Sequence, residues 1–127
     1  MVKTQVFTNN TNDYLIAAQN SFALSCIVGN AGVSADANGR KIVKAGTPLY
    51  IASGKSVYKD RFETLTVSGD TLVGIARHNV DVTEGNTNDA VLTQGYVEFY
   101  RLAEDVQTAV EAVESQLTEI KFVRGAK

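Results

Sequence analysis

Turn signals cut residues 30–100 into short runs rich in β-branched side chains, and that punctuation most limits what the chain can fold into. Asn38-Gly39 is a two-residue hairpin signal, because both positions tolerate the positive φ of a type I′ turn. Residues 40–45 follow as a strand, with Ile42 and Val43 between Lys41 and Lys44, until Gly46-Thr47-Pro48 breaks the run; residues 49–52 resume it. Two further β-rich runs, 62–67 and 71–76, flank Ser68-Gly69-Asp70 and predict a second hairpin. Residues 90–100 read as one long strand, and residues 23–28 as another that ends at Gly29. Short strands with turns about every 8–12 residues predict a sandwich or barrel and not βαβ units.

After residue 102 the period changes. Ala103, Val106, Val110, Val113, Leu117 and Ile120 recur at alternating spacings of three and four, which predicts one apolar stripe on an amphipathic helix. Glu104 and Asp105 stand in its first turn and Lys121 and Arg124 at or beyond its end, as the helix dipole favours. The stripe Val106, Val110, Val113, Leu117 and Ile120 suits packing on the domain's own sheet or a bundle between subunits, and the first is preferred because clustered helices would bring Glu111 and Glu114 of different chains together. Every charge between 103 and 120 is negative, five in all, which leaves twelve basic against nine acidic residues elsewhere.

Across residues 1–30 the only charged side chains are Lys3 and Asp13, a segment poorly matched to open water. Residues 1–13 lack periodicity and read as an extended N-terminal arm, with Val2, Lys3, Thr4, Gln5, Val6, Phe7 and Thr8 as its candidate binding residues. The expected organisation is an arm over 1–13, a β-rich body over 14–102, and a C-terminal helix with a short tail over 103–127 packed on the body.

With 127 residues and 44% apolar side chains the chain has one domain's worth of sequence and enough for a core. A net charge of −2 lacks the basic excess that phosphate neutralisation asks of a nucleic-acid binder. The most apolar stretch, 14–28, is interrupted by Gln19, Asn20, Ser21 and Ser25 and falls short of a membrane span; no basic residues directly precede it, so no secretory signal is expected. Asn9-Asn10-Thr11 matches a glycosylation acceptor, which carries no weight without secretion.

Catalysis has no visible address. Gly54-Lys55-Ser56 resembles the end of a phosphate-binding loop, but Leu49 stands where the pattern needs glycine. One cysteine and one histidine cannot build a zinc site. His78 with Asp81 carries little information against a locally bonded strand-end histidine, and Cys26 lies in an apolar run where a thiolate is disfavoured. Residues 81–89 are rich in hard oxygen ligands yet miss calcium-loop spacing. Tyr96, Phe99 and Tyr100 read first as core and cross-strand packing, and second as an aromatic platform. The expectation is a protein that is not an enzyme and has no metal and no cofactor.

Several ordered segments carry a resemblance: Ile42-Val43-Lys44-Ala45-Gly46-Thr47-Pro48-Leu49, then Gly74-Ile75, Asp81-Val82-Thr83-Glu84-Gly85, Gly95-Tyr96-Val97 and Arg101-Leu102. In order and spacing they resemble tailed-bacteriophage head decoration proteins of the lambda type, over roughly residues 42–102. The resemblance implies a predominantly β, α+β fold with a small β-barrel-like (β-tulip-like) body. It implies a homotrimer on the capsid exterior of the virion, whose partner is the major capsid protein lattice and whose N-terminal arm joins that surface as an added strand. The expected function is structural: binding and stabilising the lattice, with no nucleic acid and no membrane as partner. The alternative is a carbohydrate- or host-surface-binding module displayed on the particle, with Tyr96 and Tyr100 as a stacking platform. The family pattern stops soon after the Arg-Leu pair, whereas here a helix and Glu119-Ile120-Lys121-Phe122-Val123-Arg124 follow.

Overall fold

A computed structural model of the chain describes residues 13–16, 21–60 and 62–125. Among these, β structure dominates: β1 (Leu15–Ile16), β2 (Phe22–Val28), β3 (Ile42–Val43), β4 (Pro48–Ile51), β5 (Thr64–Leu65), β6 (Thr71–Ala76), β7 (Val80–Asp81), β8 (Thr87–Glu98) and β9 (Ile120–Val123). One α-helix, α1 (Glu104–Val113), lies between the 3-10 turns Phe99–Arg101 and Glu114–Gln116.

The twelve-residue β8 is the hub of a seven-stranded sheet in the order β4-β6-β8-β2-β5, with β1 and β9 also on β8. Its first half pairs antiparallel with β2, from Thr87 opposite Val28 to Gln94 opposite Phe22, while Leu92 and Val91 also meet Ile75 and Ala76 of β6. Its second half lies between β1, with Tyr96 opposite Ile16, and the parallel β9, with Gly95 opposite Ile120. The β2 register slips between Phe22 and Ala23, which face Gln94 and Leu92, so Thr93 is the extra residue of a bulge. A strand alternates faces, and one extra residue reverses the alternation. Leu92 and Val97 therefore share one core although their parity differs, while Val91 enters the other.

Those two cores lie on the two faces. The first gathers Tyr14, Ile75, Leu92, Val97 and Phe99 with Leu102, Val106, Val110, Leu117, Ile120 and Phe122; the second gathers Val28, Val43, Leu49, Ile51, Leu65, Val80, Val82 and Val91 among others. Gly74 makes the close approach of β6 to β8 possible, since a Cβ there would run into the carbonyl oxygen of Leu92. At Gly46, φ is +92° and a Cβ would fall 2.5 Å from Leu102 Cδ2, so the 45–47 turn seats directly against the start of the helical segment. The sheet is not closed by its ladders; its edge strands meet at the single antiparallel bridge Tyr50–Thr66, made by two backbone hydrogen bonds of 2.8 and 2.9 Å.

Four sequence expectations need correction. The run after Asn38-Gly39 pairs only through Ile42–Val43, with β7, because Lys44 already accepts the Thr47 N–H that closes the next turn. Runs 62–67 and 71–76 do not form a hairpin: β4 and β8 occupy both edges of β6, so β5 instead pairs parallel with β2. The long strand starts earlier, at Thr87, and ends at Glu98, where the chain turns to bury Phe99. The helix spans Glu104–Val113 rather than 103–120, and Ile120 belongs to β9. Val113 leaves the helical region at φ −124°, yet Leu117 and Ile120 still reach the same core, so an unbroken 3–4 spacing covers a helix, a tight turn and a strand.

Candidate functional site

Candidate arm residues Val2, Lys3, Thr4, Gln5, Val6, Phe7 and Thr8 lie outside the described residues; the root of that segment is described. The Arg77 guanidinium donates two hydrogen bonds, of 2.8 and 2.9 Å, to the Asp13 carboxylate and sits over the Tyr14 ring, 5.6 Å from its centroid. The Tyr14 hydroxyl donates to the Ala76 carbonyl at 2.9 Å, and Tyr14 O accepts the Glu98 N–H at 2.8 Å. Burial works to raise the Asp13 carboxyl, but Arg77 and the Leu15 N–H together hold it below the ordinary carboxylate value. Burial raises the Tyr14 phenol strongly, so it stays protonated and able to donate. The clamp ties residues 13–16 to the end of β6, more than sixty residues away in sequence. Sequence reasoning missed it, since no local pattern marks a contact of that separation.

The stripe residues divide as the core requires. Val106, Val110, Leu117 and Ile120 are buried in the first core and Val113 packs partly buried against it. Around the stripe, Lys44 Nζ reaches the Asp105 carboxylate at 3.1 Å, and Arg124 holds Glu114 through two bonds of 2.7 and 3.0 Å. Arg124 also lies 4.1 Å from the centroid of the Phe99 ring.

Residues weighed for chemistry are not assembled. His78 Nδ1 lies 3.1 Å from Asp89 Oδ1, not against Asp81, whose carboxylate instead accepts the N–H and the hydroxyl of Thr83 and so starts the 81–85 turn. Cys26 is buried in the second core; desolvation first, and the Asp89 charge second, push its thiol up to about 11, which suppresses the nucleophilic thiolate. Among the described residues no three His, Cys, Asp or Glu side chains converge as a metal site, and no helix is long and apolar enough to cross a membrane.

Six large apolar side chains are exposed among the described residues. Phe99 is buried, whereas Tyr96 is 48% and Tyr100 37% exposed. Phe22, Tyr58, Phe62 and Val123 are exposed as well, and Phe62, at 90%, is nearly free of protein contact. Alternation places Phe22, Tyr96 and Val123 with Ile16 on the outer face of the β1-β8-β9 ribbon, opposite the first core. Lys121, opposite Tyr96, and Glu98, opposite Val123, share that face. Comparison with protein-family models, with curated proteins and with solved structures found no match to this chain in any of the three.

Proposed function

We propose that the chain is a structural virion protein that binds the outside of a bacteriophage capsid lattice and stabilises it. The observation that supports this reading best is that the residues of the motif resemblance coincide with the joints of the fold. Gly46 packs against Leu102, the Arg-Leu leucine; Gly74 admits the Leu92 carbonyl; and Asp81 and Thr83 start the turn that leads into β8. A motif whose spacing follows such joints supports a reading in which the resemblance is one of body and not of catalytic site. The finer fold reading, a barrel-like body, draws support from the Tyr50–Thr66 bridge between the edge strands.

In this reading the arm, 1–13, adds to the lattice through backbone hydrogen bonds, and the Asp13-Arg77-Tyr14 clamp anchors its root to the body. The protein acts as a homotrimer on the capsid exterior, without catalysis or cofactor. A ligand that binds only the expanded lattice stabilises it by mass action, about 2.7 kcal/mol per site at a hundredfold excess over Kd. Mixing the purified chain with capsids that lack it and imaging them by cryo-electron microscopy tests this: ordered added density at a symmetry position supports it, and bare capsids overturn it. Deleting residues 2–11 should abolish association and leave the melting temperature nearly unchanged, because the clamp residues remain; a large loss of stability would place the arm in the domain's own sheet.

A second reading, a carbohydrate- or host-surface-binding module displayed on the particle, draws on the exposure of Tyr96 and Tyr100. Binding on a glycan array that is lost in Tyr96→Ala would favour it.

A further inference from the structure

A cavity of about 720 Å³, open to solvent, lies along the seam between the two cores. Val33 and Val67, half-buried against the second core, and Ala45, half-buried against the first, line it together with half-buried Ile42. These side chains keep part of their surface open, so the cavity has an apolar wall that an organic molecule could cover.

The acids in the lining are taken up within the fold. Asp36 Oδ1 accepts the Asn38 and Arg40 N–H groups at 2.8 and 3.0 Å and so shapes the 36–40 turn. Asp105 takes Lys44 Nζ at 3.1 Å and the Val106 N–H at 3.0 Å. The guanidiniums in the lining are not taken up in the same way. Arg40 is exposed and makes no ion pair among the described residues. Arg101 gives its Nε to Glu98 at 2.7 Å and makes no second ion pair among the described residues, which leaves its terminal N–H groups to donate. Asn79 is held by its oxygen, which accepts the Ala45 N–H at 2.7 Å, and its NH₂ is a further donor in the same lining. Cationic donors beside an apolar wall match an anion with an apolar body, since a guanidinium pairs a carboxylate through two parallel N–H···O bonds.

We infer that this cavity binds an organic acid, a carboxylate on an apolar body, with Arg40 and Arg101 supplying the charge and Val33, Ile42 and Val67 covering the body. The site rests on neither the capsid reading nor the glycan reading.

Titration of the full chain with 4-phenylbutyrate, followed through backbone amide shifts by nuclear magnetic resonance, tests it, with 4-phenylbutanol as the uncharged counterpart of similar shape. The acid should give saturable shifts centred on residues 32–47, 79 and 101–105, and the alcohol should bind about tenfold more weakly or worse. Arg40→Gln and Arg101→Gln should each weaken binding of the acid by about tenfold, whereas Lys59→Gln, a cation outside the lining, should leave it unchanged. All three positions are exposed, so melting temperatures should stay at the wild-type value and separate lost binding from lost folding. Absence of saturable shifts with the acid, equal affinity for acid and alcohol, full affinity in either arginine variant, or an equal loss in Lys59→Gln overturns the inference.

Discussion

The two halves of β8 are held by different kinds of neighbour. Residues 87–94 lie among strands of the body, β2 on one edge and β6 on the other, whereas 95–98 lie between a two-residue strand from the start of the described chain and a four-residue strand from its end. The body-side core draws on residues 26 to 91, and the helix-side core reaches from Tyr14 to Phe122. One strand thus serves two cores, and the bulge at Thr93 lets it do so by exchanging which face its side chains point to. The helix-side core joins Tyr14 to Phe122, so it depends on contacts of great sequence separation.

The largest effect should come from Val110→Asp. Val110 is fully buried in the helix-side core, and an unpaired carboxylate there costs more than a domain of this size has to spare. Loss of the cooperative melting transition is expected; retention of the near-ultraviolet signal of the body alone would show that the two cores fold as separate units. Next, Leu92→Ala on the helix side and Leu65→Ala on the body side should each cost about 2–5 kcal/mol in denaturant unfolding, as both side chains are fully buried. If the cores are one cooperative unit, both variants shift a single transition with unchanged slope; two resolved transitions would break the picture.

Gly74→Ala should cost about 1–3 kcal/mol, because the new methyl group meets the backbone oxygen of Leu92, which cannot rotate away. Tyr14→Phe should cost about 0.5–1.5 kcal/mol by leaving the Ala76 carbonyl without its side-chain donor. The smallest effect is acid sensitivity at the clamp. The Asp13 carboxyl is held below its ordinary value of 3.8, so its contribution is fully present above that pH and disappears as the pH falls through the lower folded-state value. Asp13→Asn should flatten the fall in melting temperature in that acid range, and an unchanged acid profile would show that Arg77 does not act through this charge.

Local chemistry was the legible part. The strand at 23–28 and the run around Leu49 could both be read, because each depends on residues a few positions apart. The position of Phe62 was less legible: the run 62–67 predicts it in a strand, since an aromatic beside β-branched residues looks the same whether it ends inside a sheet or outside one, whereas it stands exposed before β5. The clamp was not legible at all, as nothing near Asp13 or Tyr14 announces Arg77.

By itself the sequence determined the β-rich class, the helical start after residue 102, and the burial of its single cysteine, because side-chain size, β-branching and turn propensity act over a few residues. Which strand pairs with which was decided only in three dimensions. Both edges of β6 were already taken by β4 and β8, so the run at 64–65 joined β2 in parallel instead of closing the hairpin its turn residues invited. The same holds at the end of the helix. Leu117 and Ile120 keep helical spacing, but the free edge of β8 beside Gly95 offered Ile120 backbone partners as well as burial, and a strand there satisfies both.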